Sequence, residues 1–148
     1  MRISKILFVV AVALLGGACS SRTSKVGPDG DNVPSAEEGR DLKDINFSYD
    51  SYTLDSGSKS VLNANAAWLK ANPDKKVQIE GHCDERGTNE YNMALGANRA
   101  RAAQDYLRTL GIEASRVSVV SYGEELPLDT SDTEASWAKN RRDHFNVN

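Results

Sequence analysis

The chain has 148 residues, enough for one ordinary domain, with 18 basic and 21 acidic side chains and a formal net charge of −3. Arg2 and Lys5 fall in the apolar leader; without them the balance is 16 basic to 21 acidic, net −5. No basic excess is left to bind a nucleic-acid backbone, and that class is excluded.

The leader reads MRISKILFVVAVALLGGACSS, with an unbroken apolar run from Ile6 to Leu15 and the small residues Gly16, Gly17 and Ala18 after it. It predicts a secretory signal peptide over residues 1–18, because a helix that crosses a bilayer needs about 20 apolar residues. Cys19 directly after the small residues resembles the lipobox of bacterial lipoproteins. Gly16 departs from that pattern, which usually has Leu there, and Leu15 lies one place earlier. The resemblance implies that Cys19 becomes the first mature residue and carries N-acyl and S-diacylglycerol chains. Ser20 rather than Asp after it implies the outer membrane, with the rest of the chain in the periplasm. The alternative is an unlipidated secreted protein cut near Ala18; palmitate labelling separates the two. Each buried methylene contributes about 0.8 kcal/mol, so several chains anchor where one does not. With Cys19 acylated, Cys83 has no partner for a disulfide.

Residues 19–42 form the acylated start and a segment rich in Ser, Gly, Asp and Pro, too poor in large apolar residues to fold. It is read as a tether whose roughly 23 residues span about 25–30 Å on average and about 75–80 Å when stretched. A domain is expected over residues 43–148. INFSY alternates, with Ile45, Phe47 and Tyr49 on one side. SGSKSVLNANAAWLKANPD carries Val61, Leu62, Ala66, Trp68 and Leu69 at helical spacing and ends before Pro73. KKVQIEGHC alternates again, with Val77, Ile79 and Cys83 inward and Gln78, Glu80 and His82 outward. NEYNMALGANRARAAQDYLRTLG is helical, with Leu95, Ala102, Ala103, Tyr106, Leu107 and Leu110 buried and Gly111 as the stop. RVSVVSYG is a third strand, EASWAKNRR a short helix, and DHFNVN a closing strand with Phe145 and Val147 inward. Strands that are only half apolar place the helices on one face. The expected architecture is α+β: a two-layer α/β sandwich, β-α-β-α-β-(α)-β, with a mixed four-stranded sheet.

Chemistry concentrates in EGHCDERGTNEYN, residues 80–92. A metal site is not expected. His82 and Cys83 point to opposite faces at a strand end, the second histidine, His144, lies on another strand, and Cys83 reads as a small buried hydrophobe. Catalysis by paired carboxylates would need two of Glu80, Asp84 and Glu85 facing each other about 5–10 Å apart, and nothing in the spacing opposes them. Glu85 and Arg86 read as exposed turn residues before Gly87. Ligand binding is the third reading. Asp84 lies just past the end of its strand, where ligands of α/β sheets collect. Asn92 and Arg99 are two helical turns apart on one face, and Gly96 permits close approach of a ligand or of backbone. An Asp and an Arg side by side can grip a zwitterion, or can simply form an ion pair with each other. Spacing alone leaves both open.

EGHCDERGTNEYNMALGANRARAAQDYL, with VSVVSYGEELP and NRR downstream, resembles the OmpA-like peptidoglycan-binding domain over about residues 45–148, within its lipoprotein branch. The string GHxDERGTxEYN carries the branch and NxxLGxxRA the family. The resemblance implies noncovalent binding of the meso-diaminopimelate stem peptide of peptidoglycan, with the family's Asp on Asp84 and its Arg on Arg99. It implies lesser contacts from Asn92, Tyr49 and Asp50. FSYDSY stands where FDFDKY is usual, so Ser48 and Ser51 depart from the pattern. Asn98 replaces a common Arg beside Arg99, and the role of Arg141 and Arg142 in NRR is expected to be structural. It further implies tethering of the outer membrane to the wall within a Tol-Pal system of envelope integrity and cell division, with TolB and other Tol proteins as partners and no cofactor or enzymatic step. A peptidoglycan hydrolase using the clustered carboxylates is the alternative, and release of muropeptides discriminates. A flagellar stator component or a porin tail would carry a transmembrane helix or a barrel besides. Asp84→Ala or Arg99→Ala is expected to leave the fold intact and to cost about 2–4 kcal/mol of binding.

Overall fold

The computed structural model describes residues 42–148. The expected signal peptide, Cys19 and all but the last residue of the expected tether lie outside them. That last residue, Leu42, already packs into the apolar core, one position before the expected boundary.

The elements follow in the order β1 (Ile45–Asn46), α1 (Ser56–Ala71), β2 (Val77–His82), α2 (Asn89–Thr109), a 3-10 turn (Ala114–Arg116), β3 (Val117–Gly123), α3 (Glu134–Asn140) and β4 (Arg142–Val147). The sheet order is β1-β4-β2-β3. β4 runs antiparallel to both β1 and β2, while β2 and β3 are parallel, so the sheet is mixed. The parallel pair is the one joined through a helix, as a crossover connection requires.

Local chemistry sets the helix ends. The carboxylate of Asp55 accepts from the Ser58 amide at 2.7 Å and starts α1, and Thr88 Oγ1 accepts from the Tyr91 amide at 3.2 Å and starts α2. α1 stops before Pro73, and α2 is closed by Gly111, whose φ of 87° suits glycine. Val77, Ile79, Val117 and Phe145 meet Leu62, Ala66, Leu69, Ala100, Ala103 and Leu107 in one core.

The contact that places the functional residues is between two glycines. A Cβ on Gly81 would fall 2.0 Å from the Gly96 carbonyl oxygen, and one on Gly96 would fall 2.4 Å from Ser121 Oγ. The backbone of α2 therefore rests directly on that of β2. The close approach foreseen at Gly96 is made by backbone.

Two expectations change. INFSY keeps only Ile45 and Asn46 in the sheet. The Phe47 amide still bonds to the Arg141 carbonyl at 2.9 Å, and the chain then turns through Asp50, whose φ of 49° is tolerated by Asp. His82, assigned by alternation to the solvent side, is 2% exposed and stacks on Tyr122 with ring centroids 5.5 Å apart. Its ring nitrogens have no hydrogen-bond partner among the described residues. Burial first, then the nearby charges of Arg142 and His144, pull its pKa down to about 4, so the ring is neutral.

Candidate ligand-binding cleft

β2 ends at His82, and the Cys83 amide donates to the Gly123 carbonyl at 2.8 Å, fixing the exit of the chain. Asp84 follows at the carboxyl edge of the sheet. An open cleft at this edge has Asp84, Asn92, Arg99, Tyr49 and Asp50 in its walls. The five residues singled out in the sequence thus come together.

Their pairing differs from the simplest expectation. Asp84 is 4% exposed and is held by Arg86 and Arg141, with Arg86 Nη2 at 2.7 Å and Arg141 Nη1 at 3.1 Å from Oδ2. Burial works to raise its carboxyl, but the hydrogen bonds from Arg86 and Arg141 outweigh it and hold the group below its usual value. Asp84 is therefore a carboxylate at neutral pH, suited to accept and unsuited to donate a proton.

Arg99 is fully buried and forms no ion pair with Asp84. Its Nε donates to the Ser51 carbonyl at 2.8 Å, Nη1 to the His82 carbonyl at 2.8 Å and Nη2 to the Ser48 carbonyl at 3.2 Å. Nη1 also lies 3.4 Å from Cys83 Sγ. Burial lowers its pKa, with Cys83, Asp143 and Asp84 acting against that, and a guanidinium keeps its charge throughout. The departures at Ser48 and Ser51 leave this arrangement untouched, because both residues act through their carbonyls. Cys83 is buried as expected, and burial pushes its thiol up to about 11 while Arg99 opposes the rise.

Asn92 fixes the loop. Its side-chain amide donates to the carbonyls of Asp84 at 3.2 Å and Arg86 at 3.3 Å and to the Glu124 carboxylate. At the mouth the Tyr91 hydroxyl bonds to Asp50, and Tyr49 is 58% exposed. The Asp50 hydrogen bond raises the Tyr91 pKa.

Two arginines read from sequence as peripheral belong to the cleft. Arg86 is not a free turn residue: its guanidinium lies 4.0 Å from the Tyr49 ring centroid and 4.2 Å from that of Trp137. Arg141 joins Asp84 to Glu134 at 2.7 Å and to the Phe47 carbonyl at 3.1 Å. Only the strand order, which sets β4 beside β2, brings the NRR string to Asp84. Arg142 points elsewhere, with Nε 3.8 Å from Asp44.

The other carboxylates are dispersed. Glu85 accepts from the Trp137 indole at 3.0 Å, and Glu80 faces Asn146 on the sheet surface away from the core. Among the described residues no three of His, Cys, Asp and Glu assemble into a metal-holding group. No described helix is long and apolar enough to cross a membrane.

Comparison with known proteins places this geometry. The profile of the OmpA family matches residues 46–141. The peptidoglycan-associated lipoprotein of Pasteurella multocida is 39% identical over 145 residues, 95% of either chain. That of Haemophilus influenzae is 38% identical over 144 residues, covering 95% of this chain and 94% of the relative. The crystal structure of the peptidoglycan-associated lipoprotein from Burkholderia pseudomallei superposes with a TM-score of 0.69 at 39% identity, over 71% of this chain and 89% of the other. The C-terminal domain of Helicobacter pylori MotB shares the fold, with a TM-score of 0.68 at 19% identity.

Proposed function

Because the chain belongs to the OmpA family, we propose that it is an outer-membrane lipoprotein whose domain binds the meso-diaminopimelate stem peptide of peptidoglycan noncovalently. That residue bears an ammonium and a carboxylate on one carbon. Asp84 receives the ammonium and the positive field of Arg99 receives the carboxylate. Acyl chains on Cys19 hold the outer membrane, the tether spans the gap, and the domain holds the wall. TolB and other Tol proteins are its partners in the envelope.

The observation that carries this reading is the state of Arg99. A fully buried guanidinium is costly unless paired, yet among the described residues this one has only backbone carbonyls and a thiol as hydrogen-bond partners. Carbonyl dipoles hold the side chain without cancelling its charge. The residual positive field at the cleft is complementary to an anion, and the Asp84 carboxylate in the same wall is complementary to a cation. The two act as separate poles of one cleft.

Co-sedimentation with purified sacculi tests the reading. The wild-type chain should pellet with the wall material and release no muropeptides. Asp84→Asn keeps the side-chain shape and removes the charge, and is expected to weaken binding by about 2–4 kcal/mol. Sedimentation of this variant like the wild type, or soluble fragments from the wild type, would contradict it.

A further inference from the structure

We propose that Arg86 is a tethered competitor: it fills the ammonium place at Asp84 while the cleft is free, and a ligand ammonium binds only by displacing it. The inference rests on the reading of Asp84 as the ammonium acceptor.

A carboxylate offers about four acceptor positions. On Asp84 all of them are taken. Oδ1 accepts from the Arg86 amide at 3.2 Å and from Arg86 Nε at 3.3 Å. Oδ2 accepts from Arg86 Nη2 at 2.7 Å and from Arg141 Nη1 at 3.1 Å. The guanidinium of Arg86 grips both oxygens in the two-pronged geometry that a planar fork allows. An incoming ammonium therefore finds no vacant position until one of the arginine side chains leaves.

The surroundings say which one moves. Arg141 is 8% exposed and tied at three corners, to Phe47, Glu134 and Asp84. Arg86 is 29% exposed, and because Asn92 holds its carbonyl at 3.3 Å only its side chain has to move. A resting place is already in contact with it. Its guanidinium lies between the Tyr49 and Trp137 rings, and Nη1 is 3.7 Å from Glu134. A small swing keeps the stacking and the Glu134 attraction while releasing Asp84. The exchange replaces one cation by another, so the carboxylate is never left uncompensated.

The consequence is selective. Apparent affinity is scaled by the fraction of time Asp84 is free. A ligand with an ammonium alone must displace Arg86 with no other gain, whereas a zwitterion also meets the field of Arg99. The cleft thus discounts ordinary lysines and ammonium ions.

The test is calorimetric titration of the full chain with the tripeptide L-Ala-D-Glu-meso-diaminopimelate. The same peptide with its free side-chain amino group acetylated is the control. Arg86→Gln should bind the amino peptide about tenfold more tightly than wild type, as expected for loss of a competing charge-assisted pair. Arg86→Lys, which keeps a cation but loses the fork, should fall between them. The acetylated peptide should not distinguish wild type from Arg86→Gln. Equal or weaker binding of the amino peptide by Arg86→Gln would overturn the proposal and make Arg86 a positioning residue for Asp84. An equal gain with the acetylated peptide would overturn it too. If Asp84→Asn binds the amino peptide like wild type, the ammonium reading itself fails. If Asp84→Asn loses binding and Arg86→Gln gains none, only the competitor fails.

Discussion

Arg99→Ala is the substitution on which sequence and structure disagree most. The family resemblance made Arg99 a ligand contact whose removal was expected to leave the fold intact. In the structure it is a fully buried tie that donates to the carbonyls of Ser48, Ser51 and His82. Alanine leaves these three acceptors around a void. Hydrogen bonds to a charged group contribute about 1.5–3 kcal/mol each. The Ser48 and Ser51 carbonyls lie in an exposed turn and recover part of this from water, and the desolvation cost of the guanidinium is relieved. The net loss is then about 3–4 kcal/mol, in the range for breaking a buried charged network. Against a typical domain stability of about 5–15 kcal/mol this is severe. For a domain of about 100 residues it lowers the melting temperature by about 12–30 °C. Urea denaturation followed by circular dichroism measures it directly. Arg99→Met, which fills much of the volume, separates lost hydrogen bonds from the cavity. A loss below about 1 kcal/mol in Arg99→Ala would refute the tie. Binding by this variant must then be measured where the folded fraction is known.

Gly81→Ala drives a Cβ to 2.0 Å from the Gly96 carbonyl oxygen, which only a shift of α2 relieves; we expect a loss of about 3 kcal/mol or more, and an unchanged melting temperature would disprove the close packing. His82 is neutral in the fold with a pKa of about 4 against 6.5 unfolded, so its contribution is complete above pH 6.5 and fades as the pH falls toward 4. The loss amounts to about 3 kcal/mol, and His82→Phe should remove this part of the pH dependence of stability; an unaltered slope would contradict the burial. Asp143 is fully buried in β4, and neither carboxyl oxygen has a hydrogen-bond partner among the described residues. Burial raises its pKa well above the usual 3.8, with Arg99 opposing and Asp44 assisting, so the folded state retains a proton that the unfolded chain gives up as pH rises past that value. Asp143→Val should therefore stabilise the domain by about 1–2 kcal/mol at pH 7, with the gain vanishing near pH 3; destabilisation at neutral pH would show that the carboxyl is satisfied.

Periodicity carried the architecture because the helices and β2 to β4 each bury one side, and the side chains record which. Leu62, Ala66 and Leu69 mark α1 as plainly as Val77 and Ile79 mark β2. What alternation could not record is a neighbour from a distant part of the chain. His82 obeys the strand period and is buried all the same, because Tyr122 of β3 lies over it. INFSY has strand alternation, yet only two residues pair, because the chain must turn back and bring the Ser48 and Ser51 carbonyls to Arg99. In the cleft, spacing put Asp84 past the end of β2 and Asn92 and Arg99 on one face of α2, the family resemblance made them a site, and neither gave their partners. Three arginines, from a loop, from α2 and from the junction between α3 and β4, converge on one corner, and only the strand order decides that Arg86 and Arg141 take the carboxylate while Arg99 takes carbonyls.

The central claim is that two opposite poles in one cleft select a zwitterion. Its most direct test is an NMR titration of the chain with L-Ala-D-Glu-meso-diaminopimelate and, separately, with the peptide bearing lysine in the third position, which lacks the second carboxylate. The account predicts saturable shifts at Asp84, Asn92 and Arg99 and a preference for the diaminopimelate peptide of at least about tenfold, the worth of one charge-assisted contact. Equal affinity for the two peptides, or shifts confined to residues away from the cleft, would contradict it.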